Sequence, residues 1–193
     1  MTRTALLLPL LALAAACAHA PAATRDAGTP AAYFPRAVGN TRTYVDESPA
    51  LPPARRGATR TVTILTRDGD GYYHDSDRGE LRADPDCLHD RVRRLLCAPV
   101  EPGRTWSSVV SVASTERYEI AAVGETIDVP AGRLRDCVRV RARNRAGPDA
   151  TAILESAYCP GVGLARIETF SVVKGAVTPQ VRAVLKSYRV EGR

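Results

Sequence analysis

Short β-branched segments separated by turn residues make up most of this chain, and that pattern limits it to a β-rich fold. Residues 59–66 (TRTVTILT) are a clear example of such a segment. Glycine, proline and Asp-Gly signals separate most segments, and strands at this spacing favour an all-β sheet or barrel. Beyond the N-terminal region, only residues 87–96 are predicted as helical. Further strands are predicted at 72–74, 80–82, 106–113, 117–123, 125–129, 134–143, 152–158, 164–173 and 181–190.

The length and composition fit one globular domain. Of the 193 residues, 45% are hydrophobic and 25% are charged, which permits a packed core and argues against wholesale disorder. The formal charge is +6, from 27 Lys and Arg against 21 Asp and Glu, and only Lys174 and Lys186 are lysines. Five cysteines, three histidines, one Met and one Trp argue against a haem protein, a multi-zinc array, a coiled coil or a collagen-like chain.

The first residues carry the features of an export signal. Arg3 precedes an apolar run, Ala5–Ala16, which is too short to span a bilayer as a helix but suits the hydrophobic region of a signal peptide. The run ends Leu-Ala-Ala-Ala-Cys at residues 13–17. Small residues immediately before a cysteine resemble the lipobox of bacterial lipoproteins.

The lipobox resemblance implies that residues 1–16 are removed and that Cys17 becomes the acylated first residue. Several acyl chains, each contributing about 0.8 kcal/mol per buried methylene, would hold the protein at a membrane without a transmembrane helix. Ala18 follows the cysteine where an Asp would signal retention in enterobacterial sorting, and this implies the outer membrane, facing the periplasm. The alternative is an ordinary secretory signal cut after Ala16, Ala18 or Ala20, with Cys17 discarded or free.

The composition then changes twice before the β-rich region. Residues 17–32 are rich in Ala, Pro, Gly and Thr without apolar periodicity, which predicts a flexible tether behind the lipidated N-terminus. A single all-β domain is expected over residues 33–193. Within it, Glu47–Gly57 contains three prolines and is predicted as a long loop.

Four segments of the chain resemble one family of exported bacterial proteins. They are 33–41 (YFPRAVGNT), 99–106 (PVEPGRTW), 129–134 (VPAGRL) and 158–164 (YCPGVGL). Together they are similar to the domain of unknown function 3108 and its TapB-like relatives, where the pattern is Y-F-P-L-x-V-G-N-x-W-x-Y, P-L-x-x-G-x-x-W, V-x-V-P-A-G-x-F and W-Y-A-P-G-V-G-L-V. The chain departs from that pattern at Arg42, where the family often has Trp, at Leu134 and at Cys159.

The resemblance covers nearly all of residues 33–190 and implies a curved antiparallel sheet in the cell envelope. It implies no catalytic residue, because the family has none established. We therefore expect one all-β domain, built as a curved antiparallel sheet or an incomplete β-barrel.

Four cysteines remain for the folded domain, and an oxidising periplasm favours disulfides among them. Three connectivities are open for Cys87, Cys97, Cys137 and Cys159. We prefer sequence-local pairing, because Cys87–Cys97 closes a short loop and Cys137 and Cys159 lie on adjacent predicted strands. A metal site from Cys87, His89 and Cys97 and free thiols are the alternatives, although no CxxC pair is present.

The remaining polar motifs give no firm chemistry. His74 precedes Asp75 and Asp77, but neither a GxSxG nor an HExxH motif accompanies it. The acidic run 68–79 does not match a calcium-binding loop, since Tyr72 and Tyr73 occupy positions 5 and 6. We expect no catalytic residue, no metal and no cofactor.

A row of arginines lies along one predicted strand. Arginines occupy the odd positions 133, 135, 139, 141, 143 and 145, which they share with Cys137. Val138, Val140 and Ala142 occupy even positions, so one face of the strand is basic and the other apolar. One interpretation is that this face contacts anionic envelope lipids or polymers. The other is that it is an ordinary solvent-exposed face whose basic residues are arginines, as nearly all basic residues of this chain are. The candidate surface for an anionic partner consists of Arg135, Arg139, Arg141 and Arg143.

These features predict a non-enzymatic lipoprotein of the outer membrane, held by its lipid anchor. The main hypothesis is a module that binds envelope proteins, lipids or anionic polymers but not nucleic acid. The alternative is a carrier of a hydrophobic or anionic envelope ligand on a concave sheet face. A filled sheet face would favour the module, and an open apolar cleft of several hundred Å³ would favour the carrier. A hydrolase would instead need His74 clustered with Asp or Ser in that cleft.

Overall fold

The computed structural model describes residues 28–191. The predicted signal peptide (1–16), Cys17 and most of the tether (17–32) lie outside the described residues. Two short 3-10 turns, Pro30–Tyr33 and Pro53–Arg55, accompany the strands. The strands are β1 (Thr41–Asp46), β2 (Thr59–Arg67), β3 (Tyr73–Asp75), β4 (Glu80–Ala83), β5 (Cys87–His89), β6 (Arg94–Cys97), β7 (Thr105–Ser111), β8 (Ser114–Val129), β9 (Gly132–Gly147), β10 (Ala150–Cys159), β11 (Gly163–Val173) and β12 (Ala176–Arg189).

All twelve described strands belong to one antiparallel sheet, which confirms the predicted all-β class. The order is β6-β5-β4-β3-β2-β1-β12-β11-β10-β9-β8-β7. Every neighbouring pair is consecutive in sequence except β1 and β12, which bring the two ends of the domain together. The sheet curls into a nearly closed barrel, and its one unsealed seam lies between β6 and β7.

Side chains rather than a strand ladder hold this seam. The backbone N–H of Arg94 on β6 donates to Ser108 Oγ on β7 at 3.0 Å. Trp106 Nε1, also on β7, donates to the carbonyl of Arg94 at 2.6 Å. These bonds satisfy backbone groups that an open sheet edge would leave to water.

The predicted helix over residues 87–96 is wrong, because these residues form the β5–β6 hairpin. Cys87 pairs directly with Cys97 across the two strands. Asp90 stabilises the turn between them, since its Oδ1 accepts the backbone N–H groups of Val92 and Arg93 at 2.7 and 2.5 Å. A tight acidic turn and a covalent cross-link outweigh the weak helical pattern.

A backbone bulge explains one mismatch in the expected alternation along β9. Val138, Val140 and Ala142 are buried as predicted. Cys137 is also buried, although it shares odd positions with the arginines. Asp136 has φ +57°, and the register between β8 and β9 shifts there. The extra residue of the bulge reverses which face the neighbouring side chains point to, so Cys137 faces a core.

Both disulfides join neighbouring strands, and they are the local pairs expected from the sequence. Cys87–Cys97 links β5 to β6, and Cys137–Cys159 links β9 to β10. The second bridge lies in a core cluster that fixes the tip of the β8–β9 hairpin against β10–β12. That cluster includes Ile127, Leu134, Ala157, Ala165 and Leu185.

A helix that spans a membrane must be both long and apolar. No helix between residues 28 and 191 is long and apolar enough to cross a membrane.

Candidate functional site

The barrel interior contains a cavity of about 400 Å³. Side chains from β1 to β6 line it, together with side chains from β10 and β11. This volume falls in the range of roughly 300–1,000 Å³ that small-molecule sites occupy. Its apolar wall includes Val62, Ile64, Leu81, Leu154, Leu164 and Ile167.

Strand alternation places these side chains in the cavity. Arg42 and Tyr44 are two residues apart on β1, and Leu154, Ser156 and Tyr158 are spaced in the same way on β10, so each set points to one face. Tyr44 donates its hydroxyl to the carbonyl of Leu164 at 3.0 Å. Burial raises the pKa of Tyr158 to about 12, so this phenol stays neutral at pH 7. The wall therefore combines apolar area with a few fixed polar groups.

Arg42 is the one cationic side chain buried in the cavity wall among the described residues, with 3% of its surface exposed. Its Nε donates to the carbonyl of Val162 and its NH2 group to the carbonyl of Pro35, both at 2.8 Å. The guanidinium carbon lies 4.2 Å from the centre of the Phe34 ring. Burial lowers the pKa of Arg42 more than the nearby Tyr44 and Asp75 raise it.

Gly163, the last residue of the Pro-Gly-Val-Gly segment, occupies a position that requires glycine. Its φ of +108° is one that L side chains rarely adopt. A Cβ atom at this position would lie 2.5 Å from Arg42 Nε. Glycine is thus needed both for the backbone turn into β11 and for the space that the guanidinium occupies.

Charged residues mark the place where the cavity meets solvent. Arg60 NH1 lies 2.7 Å from Asp77 Oδ2, and both side chains are exposed. Asp75 Oδ1 accepts the backbone N–H groups of Asp77 and Gly79 at 2.8 and 2.7 Å. The carboxylates at this mouth are therefore engaged by an exposed arginine or by turn backbone.

The predicted arginine surface lies on the outside of the barrel and is largely neutralised by glutamates of neighbouring strands. Arg139 pairs with Glu125 on β8 at 3.0 Å and with Glu155 on β10 at 3.3 Å. Arg141 Nε lies 2.7 Å from the other oxygen of Glu155. Burial alone raises the pKa of Glu155, but Arg141 and Arg139 hold it below its usual value.

The two ends of this surface are less tightly paired. Arg143 lies 3.4 Å from Glu119, and Arg135 has no ion pair within residues 28–191. Arg143 also lines an open cleft of about 830 Å³ between the strand ends, with Arg117 and Arg145. Binding of an anionic partner at these arginines stays a prediction, and the polar cleft does not suit an apolar ligand.

His74 and His89, the histidines among residues 28–191, lie outside the cavity wall. His74 is held between Asp68 and Glu80, with its Nε2 3.0 Å from Asp68 Oδ2 and its Nδ1 3.3 Å from Glu80 Oε1. His89 Nε2 lies 3.0 Å from Asp84 Oδ2. Across residues 28–191, no group of three His, Cys, Asp or Glu side chains is arranged to hold a metal ion.

Sequence reasoning missed the residues that define this site. Strand β1 was not among the predicted segments, and Arg42 attracted notice only as a departure from a family motif. The alternation of Arg42 and Tyr44 in 41–46 (TRTYVD) is the signal that could have identified an inward-facing arginine.

Comparisons with known proteins add little to this geometry. No protein-family model matches the chain, and no curated protein matches it. Among solved structures, that of a candidate lipoprotein from Parabacteroides distasonis is similar, with 12% identity and a TM-score of 0.46. The similarity covers 86% of this chain and 100% of that one. The resemblance to the domain of unknown function 3108 stays a prediction from the four motifs.

Proposed function

We propose that this protein is a non-enzymatic, lipid-anchored protein of the outer membrane that carries a hydrophobic ligand inside its barrel. The observation that supports the carrier role is the cavity of about 400 Å³, lined mainly by apolar side chains. An apolar cavity of this size can enclose a ligand, as a carrier requires. An interaction module binds through its outer surface, and its sheet face could be filled by side chains.

The placement of polar groups supports a non-enzymatic role. A hydrolase on this scaffold would need a histidine facing the cavity beside a carboxylate or a hydroxyl. His74 is instead held between Asp68 and Glu80 outside the wall. The polar groups that do face the cavity are tyrosines, Ser156, Arg42 and, at the mouth, Arg60 with acidic residues.

The anchor is the second part of the proposal and depends on Cys17. Acylation there would place the barrel at the membrane from which its ligand is taken or to which it is delivered. Mass spectrometry of the mature N-terminus tests it: we expect a triacylated Cys17, which a Cys17→Ala variant lacks. An unmodified N-terminus downstream of Cys17 in the wild type would contradict the anchor.

Filling the cavity tests the carrier role. Ile167 on β11 lines the cavity, and Ile167→Trp places a larger side chain in that space. We expect the wild type to bind the neutral dye N-phenylnaphthylamine saturably, with the blue-shifted emission of an apolar site. Binding by the variant should be weaker by about tenfold or more, because the dye loses buried apolar contact.

The matched control is Val177→Trp on the adjacent strand β12, where the side chain is 62% exposed. It adds the same residue without entering the cavity, so dye binding should match that of the wild type. Circular dichroism checks that both variants keep the β-sheet. Equal loss in both variants, or no saturable binding by the wild type, would contradict the carrier role.

A further inference from the structure

We infer that the ligand carries one anionic head group, a carboxylate or a phosphate, which the guanidinium of Arg42 binds inside the barrel. This inference rests on the proposed carrier function and specifies its ligand class as an acidic amphiphile. The observation behind it is a buried arginine in the wall of an otherwise mainly apolar cavity.

Arg42 retains hydrogen-bonding capacity toward the cavity. A guanidinium has five N–H donors, and two of them reach the carbonyls of Val162 and Pro35. The NH1 group has no hydrogen-bond partner within residues 28–191, yet it is not sealed off. The one fully buried side-chain nitrogen or oxygen without a partner in that part of the chain is Arg36 Nε. Arg42 NH1 is therefore not fully enclosed, and Arg42 lines the cavity.

The charge of Arg42 also lacks a direct counterion. Its two partners are neutral carbonyls, and no carboxylate of the described residues lies within ion-pair distance of it. Burying a cation in this way is costly unless an anion joins it. The three acidic residues that line the cavity are already engaged. Asp75 accepts turn N–H groups, Asp77 pairs with Arg60, and Asp90 accepts two N–H groups of its own turn.

The position of Arg42 sets the orientation of the ligand. Arg42 is buried, whereas Arg60 at the mouth is exposed. An amphiphile that reaches Arg42 must therefore enter with its head group first and leave its chain along Leu154, Leu164 and Ile167. The planar guanidinium suits an oxyacid head, since it presents parallel N–H groups to two oxygens.

Competition among matched amphiphiles tests the inference on the wild-type protein. Dodecanoate, dodecyl phosphate and dodecanol share one chain length. They are added at pH 7 to the complex with N-phenylnaphthylamine, the two acids below their micelle concentrations and the alcohol below its solubility limit. We expect at least one of the two acids to displace the dye about tenfold or more better than the alcohol, as a charge-assisted hydrogen bond would give. The stronger of the two identifies the head-group source as a carboxylic acid or a phosphate ester.

Two arginine variants locate the effect. Arg42→Gln should bind the neutral dye but bring the acid-to-alcohol preference close to one. Arg60→Gln, which changes the exposed arginine of the same cavity, should leave the preference within about twofold of the wild type. If Arg42→Gln does not fold, the wild-type comparison of acid with alcohol decides alone.

The outcomes separate this inference from the proposed function. Dye binding with equal displacement by acids and alcohol would overturn the head-group assignment while leaving the carrier role intact. Loss of the preference in Arg60→Gln but not in Arg42→Gln would likewise overturn it. Failure of the wild type to bind the dye would remove the carrier role itself.

Discussion

Replacing Gly163 by alanine should lower the free energy of unfolding by about 2–5 kcal/mol. Part of this loss, roughly 1–3 kcal/mol, comes from forcing an L residue into φ +108°. The rest comes from the new Cβ atom, which would lie 2.5 Å from Arg42 Nε and displace the guanidinium from its bond to Val162. Urea denaturation of the oxidised protein measures the loss.

Gly132→Ala is the control that separates these two causes. Gly132 has a similar φ of +123°, but no atom lies within 4 Å of the position a Cβ would take. It should therefore show the backbone cost alone. Equal losses of unfolding free energy at the two positions would contradict a special packing of Arg42 against Gly163. The preference for acids in dye displacement should fall in Gly163→Ala but not in Gly132→Ala.

Removing the Cys137–Cys159 disulfide by a double serine substitution should cost about 3 kcal/mol. In the chain-entropy description, a cross-link that closes a longer loop restricts the unfolded chain more. This bridge spans 22 residues and Cys87–Cys97 spans 10. A double serine substitution of Cys87 and Cys97 should therefore lower the free energy of unfolding by about 0.7 kcal/mol less, since the loop term scales with the logarithm of loop length.

Urea midpoints of the two double variants, compared with the wild type, measure both losses. Non-reducing peptide maps serve as the control, because they show that the remaining pair stays linked in each variant. An unchanged midpoint after loss of Cys137–Cys159 would mean that this bridge does not stabilise the barrel. A Cys87 linked to Cys137 or Cys159 in the wild type would contradict the pairing itself.

The fold class was predictable because most strands carry their own local signal. The segment 59–66 is β-branched and became β2, and the alternation of arginine and valine marked the two faces of β9. The β5–β6 hairpin was not predictable in the same way. The equally short β3 and β4 are flanked by glycine turn signals, whereas residues 87–96 contain neither glycine nor proline to mark the turn. The joining of β1 to β12 depends on contacts across almost the whole domain, which local patterns do not encode.

The candidate site depended even more on such long-range contacts. Arg42 is separated by 120 residues from Val162, whose carbonyl holds its guanidinium. The arginines on β9 looked more suggestive from sequence because they form a visible row, yet glutamates of β8 and β10 pair with most of them. Only the assembled barrel distinguishes a buried, unpaired arginine from a solvated and compensated one.

The most direct test of the proposed function is a dye-displacement titration of the wild-type protein at pH 7. We predict saturable binding of N-phenylnaphthylamine in a one-to-one complex, with stronger displacement by dodecanoate or dodecyl phosphate than by dodecanol. Ile167→Trp should weaken dye binding, whereas Val177→Trp should not. A wild-type protein that does not bind the dye, or that binds it as well with Trp at position 167 as without, would contradict ligand binding inside the barrel.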